Sequence, residues 1–205
     1  AQLRPEMRLL VLERGKPIAQ RSCPARQRSC VGCPTCAIMT GWGGAGAFSD
    51  GKLTLSTDVG GWLGDYVGPD RLAGLVEDSD RVWLRFGATT EVHGPDPDTA
   101  ARLIHDATLA GMRLVPMRIR HIGSDRSPAV LQAMFDHLVS QDVEVRTQTA
   151  VARILVRDGA VRGVELTDGS ILEAQAVIVA PGRDGADGLA AQAREVGRGL
   201  VPNAV

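Results

Sequence analysis

Aromatic side chains are scarce in this sequence: three Trp, one Tyr and three Phe make up 3% of 205 residues. The core must therefore be built mainly from Val, Leu, Ile, Ala and Met, and the stacking platforms used to read single-stranded nucleic acid are missing. An excess of charge of either sign is also missing. Twenty-three Lys and Arg stand against 24 Asp and Glu, a formal net charge of -1, and no basic tract rises above that balance, which argues against a nucleic-acid partner. No apolar run exceeds strand length, so no transmembrane helix is expected. The opening AQLRPEMR has no apolar stretch ahead of a small-residue cleavage site, which leaves the cytoplasm as the default location. There is no Ser–His–Asp set, no HExxH zinc motif and no GxxxxGK[ST] phosphate loop.

Glycine, in contrast, is plentiful. Of 24 glycines, five fall in GWGGAGAFSDGK, Gly41 to Lys52. Gly41, Gly43, Gly44 and Gly46 can take positive φ and turn their amides to a common point, a nest for a pyrophosphate or for the electron-rich edge of a heterocycle. Ser49 adds a hydroxyl, and Lys52 a charge suited to a phosphate or a reduced flavin. A loop that uses its glycines only for tight turns is the structural alternative. Upstream, Met7 to Glu13 (MRLLVLE) reads as a strand apolar on both faces, as in a parallel sheet covered by helices. Glu13, followed by Arg14, then sits at the strand's carboxyl end, where doubly wound sheets place ligands and a carboxylate can accept both hydroxyls of a ribose. A solvated glutamate beside Arg14 is the plainer reading. A dinucleotide fingerprint would put its glycine turn about twenty residues before that acid, and only a dozen residues precede Glu13. The chain therefore reads as an internal segment of a larger flavoprotein.

Residues 15–60 lack sustained periodicity, too long a stretch for an ordinary connection. Helices are expected over Asp70 to Gly87 with a break near Asp80, from Asp98 or Thr99 to Gly111, over Pro128 to Ser140 and over 185–197. Met112 to His121 reads as extended, interrupted by Pro116. Strands are expected at Val143 to Thr147, Thr149 to Arg157, Ala160 to Leu166 and Ser170 to Ala174, with Asp158-Gly159 and Asp168-Gly169 as turns. Ala176 to Ala180 (AVIVA) suits the centre of a parallel sheet and runs into Pro181, Gly182 and Arg183. No internal repeat is visible. The fold class is α/β: an incomplete FAD/NAD(P)-binding Rossmann-like, three-layer domain with an inserted α+β segment. Residues 1–60 and 140–190 are assigned to the nucleotide-binding portion, 61–139 to an inserted or substrate-side segment and 191–205 to a connector.

Cys23, Cys30, Cys33 and Cys36 are the only cysteines, and the last three read CVGCPTC. The spacing suits a metal or an iron–sulfur cluster, a redox pair such as Cys33 and Cys36, or inert thiols; compression into one loop is unlike the paired knuckles of structural zinc sites, and no residue is assigned to a metal. In RIRHIGSDR, His121 lies beside Arg120 and ahead of Asp125 and Arg126, a setting for hydrogen-bond donation or proton transfer near a flavin; a histidine bonded within a turn is the alternative. Arg118, Arg120 and Arg126 suggest an anionic small-molecule substrate, or simply a solvated face. His93, His105 and His137 have no comparable setting.

MRLLVLERG, GWGGAGAFSDGKLTLS, RIRHIGSDR and AVIVAPGR together resemble the uncharacterised FAD-dependent dehydrogenase family, within the glutathione-reductase-like NAD(P)/FAD-dependent oxidoreductases. The resemblance implies FAD as cofactor, with the ribose acid on Glu13, the flavin loop on Gly41 through Lys52, an adenine contact through the backbone of Val151, and a second glycine contact at Gly182. His121 and Asp125 fall towards the family's substrate side and are the catalytic candidates. The family's opening fingerprint and closing flavin unit are not in this sequence, so the parent protein is expected to be an FAD-dependent oxidoreductase and the isolated segment inactive. A small-molecule substrate and a nicotinamide cofactor are the candidate partners. The alternatives are a non-catalytic flavoprotein-like binding module and a cysteine-centred metal or iron–sulfur protein.

Overall fold

The computed structural model describes residues 4, 6–49, 51–182 and 184–199. The expected helix tail in AQLRPE, Asp50 of the glycine run, Arg183 and the closing LVPNAV lie wholly or partly outside them. The chain divides into two compact units, residues 1–45 with 136–205 and residues 46–135.

In the first unit, β1 (Leu10–Leu12) pairs in parallel with β4 (Glu144–Arg146), Leu10 opposite Glu144 and Leu12 opposite Arg146. The chain enters β4 from α4 (Ser127–Ser140), whose end is closed by Asp142 at φ 56° and by the Val143 N–H donating to the Leu138 carbonyl. A left-handed residue just past the last turn satisfies carbonyls the helix leaves open. β5 (Val151–Arg157), β6 (Ala160–Leu166) and β7 (Ile171–Glu173) form an antiparallel meander. Asp158 and Gly159, at φ 52° and 72°, supply the two-residue turn between β5 and β6; two left-handed residues match the strands' twist, which is why Asp-Gly is favoured there. Val143, Val164 and Leu166 are buried in this unit, and α5 (Ala186–Glu195) follows the meander.

In the second unit, β2 (Lys52–Thr54) and β3 (Ile119–His121) pair antiparallel, with Lys52 opposite His121. Three helices lie between them in sequence: α1 (Leu63–Val67), α2 (Pro69–Arg85) and α3 (Pro97–Leu109). Ala88, Ile122 and Val130 form the buried centre, with Leu53, Trp83, Phe86 and Met134 packed on it. Of the few aromatics, Trp83 and Phe86 serve this core, whereas Trp62 and Tyr66 in the same unit are exposed.

The architecture is α/β: among the described residues there are one parallel pair, two antiparallel sheets and several helices, consistent with an incomplete Rossmann-like nucleotide-binding fold carrying inserted α+β elements. Four sequence expectations are corrected. The helix over 70–87 runs unbroken through Asp80 as α2, because that carboxylate is tied to Arg120. The next helix starts at Pro97, capped by Asp96 accepting from the Thr99 N–H at 3.0 Å, rather than at Asp98 or Thr99; proline at the first helical position loses nothing by lacking an N–H. Of the extended segment 112–121 only Ile119–His121 is ladder, and Pro116 upstream has no N–H to donate. Ala176 to Ala180 forms no strand. Ile178 is 96% exposed, and a strand apolar on both faces is stable only where neighbours cover it.

Candidate functional site

In the first unit, Glu13 and Arg14 follow β1, and Gly41 leads the glycine run that lies against the turn after them. The backbone of Glu13 is fixed on both sides, its N–H donating to the Arg146 carbonyl at 2.9 Å and its carbonyl accepting from Thr149 at 2.9 Å. Its half-buried carboxylate accepts the Gly15 N–H through Oε1 at 2.7 Å. Gly15 in turn lies against the glycine run. A Cβ built on Gly15 would stand 2.5 Å from the Gly41 nitrogen, and one built on Gly41 would meet the Arg21 side chain at 2.6 Å and the Lys16 carbonyl at 2.8 Å. The Trp42 N–H donates to that same Lys16 carbonyl at 3.0 Å. Two glycines facing each other therefore let the turn after β1 touch the glycine run, an approach that side chains would block.

Arg21 holds the run from beneath. It is 5% exposed and donates to four backbone carbonyls: Ala37 at 2.9 Å, Trp42 at 2.6 Å, Ile38 at 2.9 Å and Gly44 at 2.9 Å. Burial pulls this guanidinium below its usual pKa, while the charges of Glu13 and Cys36 act in the opposite direction. Arg14 pairs with Asp184, and Thr40 donates to the same carboxylate. Arg14 is thus held by another side chain. Gly43 and Gly44 have φ 81° and 57°, and the Gly44 N–H closes a turn on the Gly41 carbonyl at 2.8 Å. Val151 opens β5 opposite Leu166, and Gly182, at φ 64°, is exposed.

The remaining candidates fall in the second unit. Gly46 is exposed, Ser49 accepts the Gly51 N–H at 3.1 Å, and Lys52 lies on β2. The expected glycine run is therefore divided, with Gly41, Gly43 and Gly44 in one unit and Gly46, Ser49 and Lys52 in the other. His121 is exposed on β3 and meets His93 edge-on, with ring centroids 6.4 Å apart; a bridge between His93 and Ile119 holds the pair, and His93 Nδ1 lies 3.8 Å from Glu91. Asp125 is exposed and folds back towards Gly123. Arg120 is not exposed towards a substrate. It is 4% exposed and makes a bidentate pair with Asp80 at 2.7 Å for both contacts, with a further bond to the Thr89 carbonyl at 2.7 Å. The Asp80 hydrogen bond holds its pKa above the usual value. Arg118 instead lines an open cleft of about 440 Å³ with Leu55, Ser56, Pro95, Pro97 and Met117.

Sequence reasoning missed Arg21, Thr40, Asp184 and His93. None has a local signature. Arg21 and Thr40 sit in an aperiodic loop, Asp184 is far along the chain, and His93 reaches His121 only through an isolated bridge.

A family model described as "FAD binding domain" matches residues 54–203. The chain belongs to this FAD-binding domain family. The match includes His121, Asp125, Val151 and Gly182, and begins after Glu13 and the glycine run. No curated protein matches the chain. Among solved structures, an L-amino acid deaminase from Proteus vulgaris is similar at TM-score 0.45 and 12% identity, covering 87% of this chain and 43% of its own length. A thermally stable mutant of fructosyl peptide oxidase is similar at TM-score 0.42 and 11% identity, covering 87% and 50%. The chain thus spans no more than half the length of these two proteins.

The residues of this FAD-binding family member fit a flavin nucleotide in two respects. One Glu13 oxygen takes the Gly15 amide, and a carboxylate has acceptor sites left for a hydroxyl. A Cβ at Gly44, Gly46 or Gly182 would meet nothing within 4 Å, so the backbone there is open to close approach. Among the described residues, no three His, Cys, Asp or Glu side chains stand at metal-coordinating distances, which favours the flavin reading over a metal-centred protein. No described helix is long and apolar enough to cross a membrane.

Proposed function

We propose that the protein of which this chain is part is an FAD-dependent oxidoreductase acting on a small molecule. The family match over residues 54–203 carries the proposal. The flavin, when bound, supplies the two-electron chemistry; this chain's residues bind and orient it. Glu13 accepts the ribose hydroxyls, which favours FAD over FMN because only FAD brings an adenosine ribose. Arg14, held by Asp184, keeps the turn after β1 in place beside it. The backbone of Gly41, Gly43, Gly44 and Gly46 lies along the cofactor, with Ser49 and Lys52 as side-chain donors. Val151 meets adenine through its main chain, and Gly182 allows a second close approach.

On the reacting side, His121 holds or moves a proton at an imidazole nitrogen, with His93 against its ring and Asp125 as a nearby carboxylate in the sequence. For an anionic substrate, Arg118 in the open cleft is the cation of choice, since Arg120 is committed to Asp80. A nicotinamide cofactor is the candidate electron donor. The test is direct. The complete protein, purified and then denatured, should release a yellow cofactor that co-elutes with FAD rather than FMN, and NADH or NADPH should bleach the bound flavin. A colourless complete protein that cannot be reconstituted with FAD contradicts the proposal.

A further inference from the structure

The open cleft of the second unit has walls suited to one kind of occupant. Pro95, Pro97 and Pro116 line it together with Leu55, Ala100 and Met117. Proline has no N–H to donate, so these walls present an apolar face with few main-chain donors. Ser56 also lines the cleft, but its hydroxyl donates to Asp58 at 3.1 Å and accepts the Asp58 N–H at 3.2 Å. Arg118 is then the one charged side chain of the lining, and among the described residues no carboxylate pairs with it.

The walls come from separate stretches of chain that the backbone ties together. The Leu55 N–H donates to the Arg118 carbonyl at 2.8 Å, and His93 and Ile119 exchange both main-chain bonds at 2.8 Å. Gly94, at φ 150°, packs so closely that a Cβ there would stand 2.9 Å from the Met117 carbonyl oxygen. Main-chain contacts therefore hold the cleft in shape without help from a ligand. Its volume of about 440 Å³ lies within the range of about 300–1,000 Å³ common for small-molecule sites.

A lone guanidinium beside apolar walls selects a carboxylate on a hydrocarbon body. Arginine's planar fork matches a carboxylate, and apolar walls leave any other polar group without a partner. No acidic side chain lines the cleft, so an α-ammonium would lose water without gaining a counter-ion. Asp96, between two of the prolines, is turned to cap α3 through the Thr99 N–H. With a single cation present, a second carboxylate on the ligand would be equally unpartnered. We propose that this cleft takes a monocarboxylate with an apolar aliphatic or aryl body, Arg118 pairing with its carboxylate. That this ligand is the substrate rests on the oxidoreductase reading; that the cleft binds it does not.

The complete protein is titrated calorimetrically with phenylpropanoate and octanoate, then with phenylpropanamide, phenylalanine and succinate. Saturable binding of at least one of the two monocarboxylates is expected. The amide, the amino acid and the dicarboxylate should bind at least about tenfold more weakly, the scale of one lost or unpaired charged contact. Arg118→Gln should remove the preference for acid over amide, and Arg118→Lys should restore part of it. The comparison among ligands uses the wild-type protein and so survives a folding failure of either variant. No saturable binding of either monocarboxylate overturns the proposal. So does equal or tighter binding of the amide, phenylalanine or succinate, or undiminished binding of the acids by folded Arg118→Gln. The calorimetric readout needs no flavin. A colourless protein that binds the acids contradicts the oxidoreductase reading and leaves the site standing, whereas a yellow protein that binds neither contradicts the site alone.

Discussion

Two buried arginines, one in each unit, show how differently the same side chain is used. Arg120 meets a carboxylate in a bidentate pair and joins α2 to β3 through Asp80, forty residues away. Arg21 meets backbone carbonyls on either side of the glycine run and shapes a loop that has no ladder of its own. Their pKa values move in opposite directions, Arg120 upward through its Asp80 hydrogen bond and Arg21 downward through burial. The first arginine belongs to the framework of the second unit. The second organises the chain where a cofactor is expected.

That contrast sets the order of expected effects. Arg120→Ala leaves the half-buried Asp80 without its counter-ion and should cost about 3 kcal/mol, the lower end of the penalty for breaking a buried pair. Thermal unfolding of the complete protein would report it, and Asp80→Asn should act in the same direction. Arg21→Ala removes charge-assisted bonds worth roughly 1.5–3 kcal/mol each at sites where they are not replaced by water. Its signature should be different: lost flavin retention with most helical signal preserved. Equal global destabilisation by both variants would erase the distinction. Gly15→Ala pushes a Cβ to 2.5 Å from the Gly41 nitrogen, an overpacking of about 1–3 kcal/mol, and should weaken flavin binding where Gly188→Ala, with open space at its Cβ, does not.

The smallest expected effect is electrostatic. The Thr99 backbone N–H holds the Asp96 carboxyl below its ordinary 3.8. Its folded pKa is thus lower than its unfolded one, so the stabilisation is present above that value and fades as pH falls through the folded pKa. Asp96→Asn keeps a cap acceptor but cannot titrate, and the start of α3 should then lose its acid sensitivity between the two values. Unchanged acid dependence of amide exchange at Thr99 would contradict that role.

What could be read from the sequence follows from which signals are local. The helices over 69–85, 97–109 and 127–140 carry apolar residues at helical spacing, and the Asp158-Gly159 turn names its own geometry, so these elements were expected nearly where they stand. Glu13 was placed at a strand end by the apolar run before it. The break foreseen at Asp80 failed because a charged residue in a helix looks like an interruption until its partner, remote in sequence, is known. AVIVA failed for a related reason: apolar character states a need for cover, and only tertiary neighbours can meet it. The pairing of Gly15 with Gly41 and of His93 with His121 depends on chain path and has no signature in spacing.

The most direct test of the account separates the two ends of the cofactor. FAD titrated into apo-protein carrying Glu13→Ala should bind at least about tenfold more weakly, since the lost acceptors are worth roughly 1.5–3 kcal/mol each before solvent compensation, while the rate of flavin reduction at saturation stays close to wild type. His121→Ala should retain FAD and lose turnover. If His121→Ala releases the flavin and Glu13→Ala leaves its affinity unchanged, the assignment of the binding end to Glu13 and the reacting end to His121 is wrong.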